Sequence, residues 1–204
     1  MFFSFDGIDG VGKSTQVGLF VETLRGRGFD VVVCRDPGST PLGERVRDLL
    51  LTSGADTTIG RRSEMFLYMA ARAQVVDEVI RPALAADRVV VSDRYVLANV
   101  VYQGHAGGLD PDAIWRVGRV ATDGVEPDCV FVLDMSPEAA GERLNRPLDR
   151  MERQGDEYRA RLRAGFLNEA ASADGRIHVI DAGREIAQVQ ADIWRIAAVV
   201  LGVD

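Results

Sequence analysis

Residues 7–15 read Gly-Ile-Asp-Gly-Val-Gly-Lys-Ser-Thr. Gly7, four intervening positions, then Gly12, Lys13 and Ser14 give the spacing G-x-x-x-x-G-K-[ST]. Glycines so spaced let backbone N–H groups turn inward and cradle an anion, and a helix opening at the lysine adds its positive end. Lys13 would reach the β- and γ-phosphates of a nucleoside triphosphate, and the Ser14 hydroxyl suits Mg²⁺. The triphosphate-binding set is therefore Gly7, Ile8, Asp9, Gly10, Val11, Gly12, Lys13, Ser14 and Thr15. Lysine and arginine total 24, yet Lys13 is the single lysine. A chain that uses arginine everywhere else keeps a compact ammonium at this one position. The loop does not say what the triphosphate is for, because switches, motors and small-molecule kinases share it.

Other stretches carry further chemistry. Asp93 and Arg94 follow the apolar run Val89–Val91 after a single serine, Ser92. That places them at the carboxyl edge of a sheet, where open α/β folds bind ligands. Arg94 has bidentate geometry for a second phosphate, and Asp93 could orient it or hold a water on Mg²⁺. Tyr68 and Arg72 lie four residues apart on one helix face, a pair suited to stacking on a nucleobase and bonding its carbonyl. The spacing alone is also the ordinary signature of a core tyrosine beside a solvent-facing arginine. Arg35-Asp36-Pro37-Gly38-Ser39-Thr40 is a loop at the same edge, and by itself reads as a turn. Arg143, Arg146, Arg150 and Arg153 crowd a segment around Pro147. A charge run is usually a solvated face, but beside a phosphate loop it suggests a lid at about 143–155 that excludes water and supplies charge.

Five short apolar runs must position these groups: Phe2–Phe5, Val31–Cys34, Val89–Val91, Cys129–Leu133 and Ile177–Ile180. They lack polar alternation, which predicts parallel strands buried on both faces. Helices are predicted at Lys13–Arg27, Leu42–Thr52, Ser63–Ala86, Val96–Tyr102, Pro111–Asp123, Pro137–Asn145, Asp156–Ser172 and Ile186–Leu201. Ser136 before Pro137 is a cap followed by a first-turn proline. The expected fold is α/β, a five-stranded parallel sheet with helices on both faces and right-handed crossovers.

The length of 204 residues suits one domain with an ample core. A net charge of −7 argues against a general nucleic-acid binder, so an anionic ligand must be caught by a local basic cluster. Cys34 and Cys129 sit in apolar runs and read as buried thiols. The N-terminus has no targeting pattern, and no apolar run approaches the ~18 residues of a membrane span. The expectation is a soluble cytoplasmic protein with no membrane partner.

Together GIDGVGKST, RDPGST, YMAARAQ, SDRY with VYQG, and LDRME resemble the bacterial thymidylate kinases, in order and over nearly the whole chain. The resemblance implies a P-loop kinase fold, transfer of the γ-phosphate of ATP to dTMP with Mg²⁺, a place in dTTP biosynthesis, and a homodimer. It implies that Asp9 sits between donor and acceptor phosphates near the metal, and that Arg94 holds the dTMP phosphate. Tyr68 would take the thymine-stacking position where the family usually has phenylalanine. Arg72 would contact the thymine carbonyl. Asn99, Tyr102 and Gln103 would face the nucleotide, with Tyr102 crowding the ribose 2′ position, and Asp36 and Pro37 would line the acceptor pocket. Some members carry a catalytic arginine in the phosphate loop. Here that position is Gly10, so the resemblance implies the lid type, with Arg150 the first candidate, Arg146 the second, and Arg143 at the ATP. Asp181–Arg184 would wall the adenine. An acceptor that is already a phosphate anion needs no general base, and His105 and His178 are expected to be structural or surface residues. The alternatives are a deoxynucleoside kinase, a kinase for another deoxynucleoside monophosphate, and a nucleotide-binding switch.

Overall fold

The computed structural model describes residues 1–52, 58–144 and 155–203. Its sheet is built from β1 (Phe2–Asp6), β2 (Val31–Arg35), β3 (Val89–Asp93), β4 (Cys129–Asp134) and β5 (Ile177–Asp181). The order is β2-β3-β1-β4-β5, and every pairing is parallel. The helices are α1 (Lys13–Gly26), α2 (Pro41–Thr52), α3 (Arg61–Val75), α4 (Arg81–Ala85), α5 (Val96–Asn99), α6 (Pro111–Thr122), α7 (Pro137–Glu142), α8 (Asp156–Ser172) and α9 (Ile186–Leu201). The five-stranded parallel α/β expectation is met. The chain enters the sheet at its centre and leaves β1 towards one edge, returning later to the other. Its phosphate loop therefore opens at the switch point where such folds bind ligands.

Four expectations need correction. The strands run one or two residues further than their apolar cores, so Asp93 is the last residue of β3 and not a loop residue. It pairs across the ladders with Phe5 and Arg35. Only the three central strands are buried on both faces. On the edge strands Val33 and Val179 are exposed, because the helical cover thins there. The predicted helix Ser63–Ala86 is interrupted by a π-helical turn, Val76–Ile80. Pro82 explains it: proline has no N–H for the carbonyl four residues back and clashes with it, so the preceding turn widens. A second π-helical turn, Val100–His105, follows α5 where a plain helix to Tyr102 was expected, with Ala106 N–H donating to Val101 O.

On one face of the sheet Phe3, Phe5, Phe20 and Phe131 interlock beneath α1 and α9. Their closest ring centroids lie 5.1 Å (Phe5–Phe131) and 5.2 Å (Phe3–Phe20) apart. On the other, Phe2, Met65, Met69, Tyr95 and Ile114 pack under α3 and α6. Ser136 caps α7 as expected, its Oγ accepting from Ala139 N–H at 3.2 Å. Cys34 and Cys129 are free and buried, and burial pushes both thiols up to about 12. Phe131 joins the two central strands to α1, so Phe131→Ala should cost ~3–5 kcal/mol in urea unfolding, with the denaturant slope unchanged.

Candidate active site

β1 ends at Asp6, and the chain turns through the glycine loop into α1. Gly7, Gly10 and Gly12 have φ of 128, 91 and 92, values that a side chain disfavours. A Cβ on Gly10 would stand 2.1 Å from the Ala140 carbonyl oxygen of α7. The backbone of α7 leaves no room for a side chain at this position. Lys13 Nζ donates to the carbonyls of Gly7 (3.0 Å) and Ile8 (2.8 Å) and lies 3.6 Å from Asp9. Burial, and then Arg94, lower its pKa, while nearby carboxylates oppose them. Asp9 through Thr15 line a cleft of about 780 Å³, with Arg143, Ala182 and Arg184 across from them. Gly7 and Ile8 stand behind that wall. Ile8 packs in the core, and both contribute carbonyls that hold Lys13. Arg143 reaches the Ala182 carbonyl at 3.4 Å. Arg146, Arg150 and Arg153 lie outside the described residues.

Arg94 sits at φ 68, a left-handed conformation uncommon for a side chain of this size. Its N–H donates to Phe5 O, and Ser92 Oγ donates to its carbonyl, so the strand ends hold it there. The guanidinium donates to Asp9 Oδ1 (2.5 Å), Tyr102 Oη (3.0 Å) and Gly7 O (3.2 Å). Tyr102 Oη in turn donates to Asp9 Oδ2 at 3.0 Å. Burial works against ionisation of Asp9. Arg94, Lys13 and the Tyr102 hydroxyl outweigh it and hold the carboxyl well below the usual range. The Tyr102 phenol is pushed far up, chiefly by burial.

Beyond Arg94 a smaller pocket of about 110 Å³ opens, sharing Asp9, Asp36, Arg47 and Arg94 with the first cleft. Every residue assigned to the acceptor lines it: Asp36, Pro37, Tyr68, Arg72, Arg94, Asn99, Tyr102 and Gln103. The ordinary reading of the Tyr68/Arg72 pair is reversed. Arg72 is 1% exposed and Tyr68 is half-buried at the pocket wall. Arg72 bonds Asp36 (2.5 Å), Asn99 (2.6 Å) and the Tyr95 carbonyl (3.1 Å). The Asp36 loop thus lines the pocket and is not merely a turn. Helix α2 presses against it so closely that a Cβ on Gly43 would meet Gly38 O at 2.6 Å. The two histidines play the structural parts expected of them. His105 bonds Glu169, which also accepts from Trp115, and His178 lies against Phe131.

Three charged residues were not singled out from the sequence. Arg47, on α2, donates to Pro37 O at 3.0 Å and lines both pockets. Glu64, on α3, is buried and accepts from Gln103. Asp6 is fully buried, and neither carboxylate oxygen has a partner among the described residues. Burial pushes the Asp6 carboxyl up to about 7, against the pull of Arg94 and Lys13. An acidic residue closing an apolar strand just before the glycine loop was the available signal.

Among the described residues no three His, Cys, Asp or Glu side chains are grouped to hold a metal alone. Mg²⁺ in phosphoryl-transfer sites needs only one or two protein oxygens plus substrate phosphates. Ser14 is exposed at the start of α1, and Asp93 Oδ1 is buried without a partner among the described residues. That donor set fits Mg²⁺. Asp9 has both oxygens engaged by Arg94 and Tyr102.

A phosphate cradle and a second guanidinium site, meeting over one carboxylate at the carboxyl edge of a parallel sheet, define a P-loop phosphotransferase. A family model for thymidylate kinase matches residues 5–193. The thymidylate kinase of Rhodopirellula baltica is 46% identical over 186 residues, covering 91% of this chain and 75% of that protein. That of Symbiobacterium thermophilum is 41% identical over 202 residues, covering 98% and 94%. The crystal structure of thymidylate kinase from Ehrlichia chaffeensis superposes with a TM-score of 0.79 at 30% identity, covering 97% of this chain and 98% of its own. The chain belongs to the thymidylate kinase family.

The Asp6 carboxyl has a pH signature. Its folded value of about 7 lies above the ordinary 3.8. Its contribution to stability is therefore complete below about pH 4 and is lost as pH rises through about 7. In the ligand-free protein, Tm should fall further between pH 5 and pH 8 in the wild type than in Asp6→Asn, which mimics the protonated acid. Parallel Tm curves would contradict the assignment.

Proposed function

We propose that this chain transfers the γ-phosphate of ATP to dTMP, giving dTDP and ADP, as a single P-loop kinase domain with its arginine-rich lid at about 143–155. The observation that carries the reading is the juxtaposition of the two pockets. Asp9 and Arg94 belong to the walls of both, so a phosphate on each side would be brought together there. Phosphoryl transfer asks mainly for in-line placement and neutralisation of charge.

Each group then has a role. The loop N–H groups and Lys13 hold the β- and γ-phosphates of ATP, with Lys13 exchanging the Gly7 and Ile8 carbonyls for phosphate oxygens. Arg94 turns its guanidinium to the dTMP phosphate while Asp9 keeps it in place. Tyr68 stacks on the base, and Arg72 donates to a base carbonyl. The Tyr102 ring crowds the 2′ side of the sugar, which favours deoxyribose. Asp36 and Pro37 close the acceptor pocket. Ser14 and Asp93, with Asp9 beside them, would hold Mg²⁺, which when bound neutralises charge on the transferring phosphates. Arg143 contacts the ATP side. Arg150, with Arg146 second, supplies transition-state charge from the lid. The acceptor is already anionic, so no general base is assigned.

The same reading includes a homodimer and a cytoplasmic enzyme with no nucleic-acid partner. Phe66 on α3 and Val120 on α6 are exposed apolar side chains, and we assign these two helices to the dimer face. Among the described residues no helix is long and apolar enough to cross a membrane.

ADP release from ATP and Mg²⁺ tests the activity, with dTMP, dUMP, thymidine, dGMP or no acceptor. Strong turnover should require dTMP; turnover with thymidine but not dTMP would overturn the reading. Arg94→Ala should lose on the order of 10³-fold in kcat/KM for dTMP, and Arg150→Ala a similar factor in kcat with KM for ATP little changed. In sedimentation, Phe66→Glu should shift the protein from dimer towards monomer.

A further inference from the structure

Four buried side chains form one hydrogen-bonded line behind the acceptor pocket. Arg72 Nη1 donates to Asn99 Oδ1 at 2.6 Å, Asn99 Nδ2 to Gln103 Oε1 at 2.6 Å, and Gln103 Nε2 to Glu64 Oε1 at 2.8 Å. Their exposures are 1%, 2%, 3% and 7%. Arg72, Asn99 and Gln103 reach the pocket wall, whereas Glu64 stands behind it.

The two ends of this line have opposite chemistry. A guanidinium carries only donors and a carboxylate only acceptors, while a carboxamide carries both. The two amides therefore have one setting that satisfies every link. Reversing them would set donor against donor at Arg72 and acceptor against acceptor at Glu64, an expensive arrangement in a buried site. Arg72 cannot turn away to accommodate the reversal. Asp36 holds its Nε, Met69 Sδ its Nη1 and the Tyr95 carbonyl its Nη2. Among the described residues, one Nη2–H is left for a ligand.

The direction of the line fixes what the pocket offers a base. Beside the Arg72 donor stands Asn99 Oδ1, an acceptor with a second lone pair. A 4-oxo pyrimidine presents the complement, an acceptor at O4 next to a donor at N3–H. A 4-amino pyrimidine presents a donor next to an acceptor and meets like against like. The π-helical turn Val100–His105 belongs to the same device, since it brings both Tyr102 and Gln103 to the pocket from one short segment.

We propose that Glu64 is a positioning residue for base specificity: as the acceptor-only end of the Arg72–Asn99–Gln103–Glu64 line, it holds the amides in the setting that accepts 4-oxo and rejects 4-amino pyrimidine deoxynucleoside monophosphates. The inference rests on the acceptor pocket being the seat of dTMP.

Two substitutions separate direction from packing. Glu64→Gln is isosteric, but its amide can donate as well as accept, so the far end no longer enforces the setting. Glu64→Asp keeps an acceptor-only carboxylate and gives up volume. For each enzyme kcat and KM are measured with dTMP and with dCMP, and Tm beside them. In Glu64→Gln the ratio of kcat/KM for dTMP over dCMP should fall about tenfold, the worth of one hydrogen bond, mostly through KM for dTMP and with kcat little changed. Glu64→Asp should keep the ratio even where its Tm drops. A Glu64→Gln enzyme with the wild-type KM and ratio overturns the proposal, as does a Glu64→Asp enzyme that loses the ratio as fully as Glu64→Gln. Wild-type enzyme without dTMP turnover would instead overturn the function on which the inference rests.

Discussion

Arg94 donates to Asp9 at 2.5 Å and to the Tyr102 hydroxyl at 3.0 Å, and the rest of the site is placed relative to that contact. Asp9 comes from the glycine loop, Arg94 from the end of β3, and Tyr102 from the π-helical turn beyond it. The glycine loop thus meets a segment more than eighty residues further along the chain over one carboxylate. The left-handed backbone at Arg94 is the local cost of turning its side chain across the loop, of order 1–3 kcal/mol. Two strand-end hydrogen bonds, to Phe5 O and from Ser92 Oγ, offset it. Conformational strain of this kind persists where surrounding structure over-determines it, and here it sets Arg94 in the wall shared by the two pockets.

Charge balance follows from the same geometry. The sheet edge collects the cations Lys13, Arg72 and Arg94 with the carboxyls of Asp6, Asp9, Asp36 and Asp93. In the ligand-free protein the cations are held in place: Lys13 rests on loop carbonyls, Arg94 on Asp9 and Arg72 on Asp36, while Asp6 and Asp93 Oδ1 have no partner among the described residues. On the proposed function, phosphates entering the site would take over partners that are already oriented, so little reorganisation would be needed when charge develops. A carboxyl at Asp6 that titrates near neutrality limits the negative charge beneath the loop. An acidic chain can in this way bind two polyanions without a basic surface.

Much of this was legible in the sequence, for physical reasons. The glycine loop was readable because local spacing alone determines the cradle. The five strands were readable because short continuous apolar runs mark strands, although only the central three are covered on both sides. Asp93 and Arg94 were readable because a strand end in an open α/β sheet is a ligand edge. What depends on register or on distant partners was not. The burial of Arg72 is decided by Asp36, 36 residues away, and that of Glu64 by Gln103, 39 residues away. A helix pattern cannot reveal either. Asp6 lies one residue past the predicted strand Phe2–Phe5, and only the close packing of the loop removes it from water. Pro82 marks a break in the helix before it, but a proline alone does not tell a π-helical turn from a helix end.

The central claim is that Arg94 waits for the acceptor's phosphate in a pocket whose other walls hold the nucleoside. Calorimetric titration of dTMP and of thymidine into the ATP-free protein at equal ionic strength tests it most directly. The account predicts that dTMP binds at least ~10²-fold more tightly than thymidine, as expected of a partly buried bidentate phosphate contact. Equal affinities would contradict it, because the pocket would then be reading the nucleoside alone and Arg94 would serve only its pairing with Asp9.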